Sequence, residues 1–467
     1  MNKKLQIAYI AAFLAACAAP LVCLPFAKTD KTAENRQLSS MPSFLEEDNT
    51  PNLNWSSQFE TYFSEHFAFR PQLVTLGSLI KSEIFKTSSS EKVIVGSDGW
   101  LYFAETLPDY TGENAMSERR IYATAKTIAL MQEHFQLDGR QFLFFCAPNK
   151  NTVYPDNMPA RYIKSTAPTN LDRLSPALEY AGVNFIELAP LFKSQDKTLY
   201  LERDSHWTNE GALLAYNAAA DYLDMPHNDF SSNTHTTQPV WHGDLDGMLF
   251  PSYEHLSDQE IYDIDFTFDY RGSFSSEDDL LIKTKSDSDG GALLMYRDSF
   301  GRAFYPFAAQ NASKASFSRA TPYKTSLADD IDAKYVILEI VERNLGSITE
   351  EAPVMDAPSR ELDITASVME SDKNSCVTEL KNGTLKLSGV LDESYFSDRS
   401  DIYITLESYE GLYAYEAFPV CDGSDYGFSM QISIEDIPDG NYDIYAYIKN
   451  GEEYICTGVL DEIAVKG

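Results

Sequence analysis

The chain has 467 residues, with 37 Lys and Arg against 71 Asp and Glu, a formal net charge of -34. That length exceeds one ordinary hydrophobic core and implies two or more domains. The acidic balance excludes nucleic-acid binding through a broad basic face, which needs clustered Lys and Arg, and adhesion of the protein body to an anionic membrane.

The chain opens on the basic start Met1–Lys4, and an almost uninterrupted apolar run follows from Leu5 to Phe26. As a helix, a run of this length crosses a hydrocarbon layer of ~30 Å. With Lys3 and Lys4 held inside, the pattern predicts a signal anchor over residues 1–26. The protein is then single-pass in the cell membrane with its body extracytoplasmic. Two alternatives stay open: a lipoprotein, because "LAAC" ending at Cys17 has the form of a lipoprotein cleavage box, and a cleaved secretory signal.

Residues 27–117 read as a polar lead-in followed by helices joined to the main domain. Phe59, Phe63 and Phe67 recur at helical spacing. "VIVGSDGWLYF" reads as two short strands around a Ser97-Asp98-Gly99 turn. From 118 to 350 strand and helix patterns alternate. Ser117, Thr169 and Thr208 are candidate helix caps. "QFLFFCAP", "VNFIEL", "ALLMY", "KASFS" and "YVILEIV" are strands, several of them continuous apolar runs of the kind buried on both faces of a parallel sheet. Residues 225–290 read as irregular. This is an α/β domain with a doubly wound, mostly parallel sheet. Residues 356–467 alternate apolar and polar positions, with Asn450-Gly451 as a hairpin turn, and predict a small β-sandwich. Of the six cysteines, Cys146 reads as buried, and Cys376, Cys421 and Cys456 allow at most one bridge. There is no C-x-x-C pattern.

Two stretches can carry chemistry. In "LERDSHWTNEGA", Asp204 and His206 lie one residue apart where a strand hands over to a helix. In "ALLMYRDSFGRAF", Ser299 occupies the turn between a buried strand and the next helix. Both turns fall at the carboxyl edge of the sheet, where ligands bind in this architecture. Ser299 is either a nucleophile beside helix-start N–H groups or a simple helix cap. His206 can serve it as base and Asp204 can orient His206; a satisfied surface turn is the plain reading of the Asp-x-His pair. For the oxyanion and substrate the candidates are the N–H of Ser299, Gly243, Asn149, Lys150 and Arg343, each with an ordinary loop or pairing role as the alternative. His235 and His242, with Asp244 and Asp246 near, admit a divalent metal site, but exposed loop histidines are the commoner explanation, and no metal is expected. Tyr409, Tyr413 and Tyr415 are either a sugar platform or strand packing.

The blocks "RDSHWTNEGALLAY" and "YRDSFG" resemble the alginate O-acetyltransferase AlgX/AlgJ-like (DHHW) family of the SGNH hydrolase superfamily. "ENRQLSSMP", "YFSEHFAFR", "GSDGWLYF", "APNKNTVYPDNMP" and "VILEIVERNL" match as well. The resemblance covers about residues 34–346, and Arg297 stands where a glycine is usual. It implies an SGNH hydrolase-like fold with Asp204, His206 and Ser299 as the triad. It further implies O-acetyl transfer to a cell-surface or exported polysaccharide through an acyl-serine, with a membrane partner that exports the acyl group and no cofactor. A carbohydrate acetylesterase with the same triad is one alternative. A non-catalytic surface glycan-binding protein is the other.

Overall fold

The computed structural model describes residues 3–23, 38–46, 48–253, 255–362, 366–409, 411–435 and 437–465. Its centre is a seven-stranded sheet. In chain order the strands are β1 (Gln141–Ala147), β2 (Phe185–Ile186), β3 (Asp269–Arg271), β4 (Leu281–Lys285), β5 (Ala292–Tyr296), β6 (Lys314–Ser318) and β7 (Tyr335–Val341). Their spatial order is β2-β1-β7-β5-β6-β4-β3. The first five are parallel, and β4 and β3 extend the sheet antiparallel. The stretch read as irregular therefore contributes two edge strands. Their Asp, Arg, Lys and Thr content hides the strand pattern.

Strands β5 and β7 are buried along their whole length, as apolar runs in a parallel sheet require. Alternate residues enter two separate cores. Leu143, Phe145, Leu293, Met295 and Ile337 face α6 (Asn209–Tyr222) and α7 (Gly301–Asn311). Phe142, Phe144, Leu294, Tyr296, Val336 and Leu338 face α4 (Glu118–Leu137) and α5 (Asn170–Tyr180). The sheet is covered on both sides, so the ends of β1, β5 and β7 meet at one carboxyl edge. The caps Ser117, Thr169 and Thr208 each accept a backbone N–H of the first helical turn, contributing about 1 kcal/mol apiece.

Before the sheet, α2 (Trp55–His66) and α3 (Arg70–Phe85) precede a hairpin of Val93–Val95 and Leu101–Phe103. After it, a six-stranded and a four-stranded sheet share one core that includes Leu385, Leu387, Ile404, Met430 and Ile444. Asn450 and Gly451 turn the hairpin there, with Gly451 at φ 64°. All six cysteines are free, so the bridge allowed by the sequence does not form. Tyr413 and Tyr415 pack on this core while Tyr409 is exposed, so the three do not make one platform.

Helix α1 (Lys3–Cys23) includes both lysines and Pro20. Among the described residues no helix is long and apolar enough to cross a membrane. The anchor expected over Leu5–Phe26 is therefore not found in that form. Residues 24–37, which hold its last part and Glu34–Gln37, lie outside the described residues.

The C-terminal sheets are tied to α4 by half-buried charges gathered on the buried carboxylate of Glu416. Lys126 meets Asp401 at 3.1 Å and also pairs with Glu416. Arg360 bridges Glu133 at 2.6 Å and Glu416 at 2.7 Å. Phe418 enters the core beneath α4. Removing Lys126 leaves Asp401 and one side of the buried Glu416 carboxylate without a cation. We expect Lys126→Ala to lower unfolding free energy by roughly 1–3 kcal/mol, read by urea denaturation of the full chain. A change within experimental error would place the junction outside the cooperative unit.

Candidate active site

The Asp-His turn is closed at both ends. Thr208 N–H donates to Leu199 O at 2.8 Å, and Leu201 N–H donates to His206 O at 3.2 Å. Inside the turn, Lys150 Nζ donates to the carbonyls of Leu201, Glu202 and Asp204 at 2.8, 2.9 and 2.8 Å. Lys150 is only 4% exposed. Burial pushes its pKa down to about 7, while three carbonyl acceptors match the three N–H donors of an ammonium. The loop is thus built on a cation that follows β1.

The carboxylate of Asp204 is buried and accepts four donors. Oδ1 takes the backbone N–H of His206 at 2.8 Å and ring Nδ1 at 2.7 Å. Oδ2 takes Trp241 Nε1 at 2.8 Å and the N–H of Asp244 at 2.9 Å. Trp241 ends the hairpin His235–Trp241/Ser257–Tyr262, and Asp244 opens the short helix Asp244–Leu249. Gly243 permits that approach: a Cβ there would lie 2.3 Å from Arg203 O.

The serine turn is equally fixed. Arg297 N–H continues the ladder onto Ser318 O at 2.8 Å. The Asp298 carboxylate accepts Phe300 N–H and Val341 N–H, each at 2.8 Å, tying the turn to the end of β7. Arg297 is accommodated by Gly301, where a Cβ would meet the Arg297 side chain at 2.5 Å. The arginine in place of the usual glycine is thus offset by a glycine one turn later. The two turns are joined by Trp207, whose Nε1 donates to Phe300 O at 3.0 Å.

This construction places His206 Nε2 2.9 Å from Ser299 Oγ. An ionised Asp204 only accepts, so the proton of neutral His206 lies on Nδ1 and Nε2 is free to accept from the serine. Burial alone would raise the pKa of Asp204; the charge of His206 and the bonds from His206, Trp241 and Asp244 N–H hold it below the ordinary carboxylate range. Burial pushes His206 down, but the Asp204 carboxylate, with Asp244 adding, leaves it above the ordinary imidazole value. Asp244 Oδ2 lies 3.7 Å from His206 Nδ1 and also accepts Ser205 Oγ at 2.5 Å. Among the described residues Asp204, His206 and Asp244 are the one group of potential metal ligands this close. Their ligand atoms already face Trp241, Ser205, backbone N–H groups and Ser299.

Residues 93–284 match the SGNH hydrolase-like domain of the acetyltransferase AlgX. The chain is 25% identical over 176 residues to the probable alginate O-acetylase AlgJ of Pseudomonas fluorescens, covering 35% of this chain and 41% of that protein. Both similarities point to AlgX/AlgJ-like proteins over this part of the chain. It spans less than half the length of that curated relative. Among solved structures it is similar to Bacillus cereus PatB1, with 16% identity over 54% of this chain and 96% of that one, at a TM-score of 0.42. It is similar also to the O-acetyltransferase domain of Pseudomonas putida AlgJ, with 17% identity over 54% and 92%, at a TM-score of 0.37. The AlgX match includes Asp204 and His206 and ends before Ser299, so the place of the serine beside them rests on the geometry above.

The other sequence candidates lie elsewhere. Asn149 is fully buried, donating Nδ2 to Asp109 at 2.9 Å and its N–H to Glu342 at 2.7 Å. Neither Asn149 nor Lys150 lines the cavity that opens at Ser299, and Gly243 packs behind Asp204. They follow the sheet edge, as read, but support the Asp-His loop from inside. Arg343 lies over the rings of Phe103 and Phe300 at 5.3 and 5.7 Å, and Phe300 in turn packs on His206 at 4.9 Å. His235 and His242 are exposed and do not gather with Asp244 or Asp246. Asp246 instead binds Arg203 at 2.8 Å and His255 at 3.1 Å. Trp241 and the backbone of Asp244 were not legible as partners of Asp204. The tryptophan in "WHGDLDG", beside a glycine that must approach another backbone, was the available signal.

Three outcomes follow from this geometry. His206 must be neutral to accept a proton, so ester-cleaving activity should fall as pH drops through its raised pKa, placing the acid limb above about 6.5. Asp244→Asn removes a negative charge that favours the imidazolium, so the limb should move to lower pH in a kcat/KM profile. A limb that stays put would remove Asp244 from the electrostatics of the site. Lys150→Met strands three buried carbonyls and should cost about 2–5 kcal/mol of stability, measured by urea unfolding.

Proposed function

We propose that the chain is an extracytoplasmic O-acyltransferase, with acetyl as the simplest acyl group it carries, acting on a cell-surface or exported polysaccharide. The observation that carries this reading is the hydrogen-bonded file from Asp204 through His206 to Ser299, with Nε2 of His206 2.9 Å from the serine oxygen. The similarity of residues 93–284 to the AlgX domain supports the acetyl-transfer class. The name of the AlgJ relative supports a polysaccharide acceptor.

The steps follow from the file. Ser299 Oγ attacks the carbonyl of an acyl donor and its proton passes to His206 Nε2. Asp204 stabilises the imidazolium and fixes its orientation. The N–H of Ser299, which finds no acceptor among the described residues, is placed to stabilise the oxyanion. His206 returns the proton to the leaving group. A sugar hydroxyl, deprotonated by the same nitrogen, then takes the acyl group from Ser299. In this proposal the donor comes from a membrane acyl-exporting partner. The exposed apolar side chains of α1, Leu5, Ile7, Ile10, Phe13 and Leu14, are the surface through which the chain would be held at that membrane.

Ser299→Ala and His206→Ala should each lower kcat by about three orders of magnitude or more, and Asp204→Asn by a similar factor. Transfer is separated from hydrolysis by varying the acceptor. With surface glycans of the parent cell present, acetyl should move from free acetate to sugar ester without slower acyl-enzyme formation, because a bound hydroxyl outcompetes bulk water. Unchanged acetate yield with every glycan, together with stripping of pre-acetylated glycan, would make the protein an esterase.

A further inference from the structure

A 310 Å³ cavity opens directly on Ser299 and His206. Its wall is built from Val240, Ile261, Tyr262, Phe266, Ala303 and Phe307. Val240, Ile261 and Phe266 are 50%, 38% and 39% exposed. Large apolar side chains left open around the mouth of a cavity mark a binding surface for an apolar group. Two polar side chains of the same wall are already engaged. Asn209 donates Nδ2 to Glu260 O and its N–H to Gln259 Oε1, each at 2.8 Å. Arg302 pairs with Glu277 at 3.5 Å and with Asp278 at 2.6 Å. Most of the remaining wall is apolar, and an alkyl chain needs no hydrogen-bond partner there. An acetyl methyl, about the volume of one water molecule (~30 Å³), leaves most of this space empty.

We propose that this cavity is the subsite for an acyl chain longer than acetyl. The inference rests on Ser299 being the acylated nucleophile. In the acylation step a new ester bond forms between Ser299 Oγ and the acyl carbon, and the bond to the leaving alcohol breaks. The serine proton goes to His206 Nε2 and then to the departing oxygen, so no further reagent is required. The chain runs from Ser299 along α7 past Ala303, one turn away, toward Phe307.

The test uses the full chain with the p-nitrophenyl esters of acetate, butyrate and hexanoate. Acyl-enzyme formation is followed by nitrophenol release and by mass mapping of the Ser299 peptide. Each added methylene should raise kcat/KM about fourfold. Ala303→Phe, which fills the cavity, should lower the hexanoate-to-acetate ratio at least about tenfold. Ile261→Trp, at the partly exposed mouth, should do the same if the first variant folds poorly. Acetate as the best ester, or ratios unchanged in both variants, with Ser299 still acylated, overturns the proposal. Failure of every ester to label Ser299 overturns the proposal together with the nucleophile assignment, and is told apart by the absence of the acetyl adduct.

Discussion

The site depends on one buried carboxylate. Asp204 is removed from water, and a charge there is tolerated only if its lone pairs are filled. Four donors fill them: two from His206, one from Trp241 and one from the backbone of Asp244. The two bonds from His206 fix both the ring and its tautomer. The other two recruit the hairpin and the short helix that follow α6. The acid therefore orients the base and at the same time assembles part of the pocket wall.

Around that carboxylate the structure repeats one solution. A buried polar side chain from one strand end satisfies the backbone of a neighbouring loop. Lys150 after β1 binds the carbonyls of the Asp-His loop. Asp298 after β5 binds the N–H of Val341 at the end of β7. Glu342 after β7 accepts the N–H of Asn149. Three loops from three parallel strands are thus cross-linked by charge-assisted bonds in a low-dielectric setting, where such networks are rigid when complete and costly when broken. The histidine and serine turns inherit their spacing from this frame. The C-terminal sheets add support from outside through the charged junction with α4, whose buried face is part of the same sheet sandwich.

Much of this was legible in the sequence because the signals were local. Continuous apolar strands announced a sheet covered on both faces, and Thr169 and Thr208 capped helices where their spacing said they would. Ser299 could be placed at the edge because it follows a strand and precedes a helix; the strand read before Asp204 and His206 is only a single bridge, Tyr200 to Trp207, closing their turn ahead of α6. The rest depended on contacts distant in sequence. Trp241 reaches Asp204 across 37 residues, and its hairpin is written in Thr, Gln and Pro with no apolar alternation. Lys150 and Asn149 lay at the expected edge, yet their side chains turn into the protein, a direction no periodicity encodes. The edge strands β3 and β4 escaped notice for the same reason as the hairpin: half-exposed antiparallel strands carry mixed polar sequences.

The central claim is that Ser299 is activated by His206, and covalent labelling tests it most directly. The full chain is treated with a sulfonyl fluoride across a range of pH, and the adduct is located by peptide mass mapping. The account predicts one adduct per chain, on Ser299, formed at a rate that falls at low pH as His206 becomes charged, and suppressed in His206→Ala. Labelling spread over several hydroxyls, or a Ser299 adduct formed equally fast in His206→Ala, would contradict it.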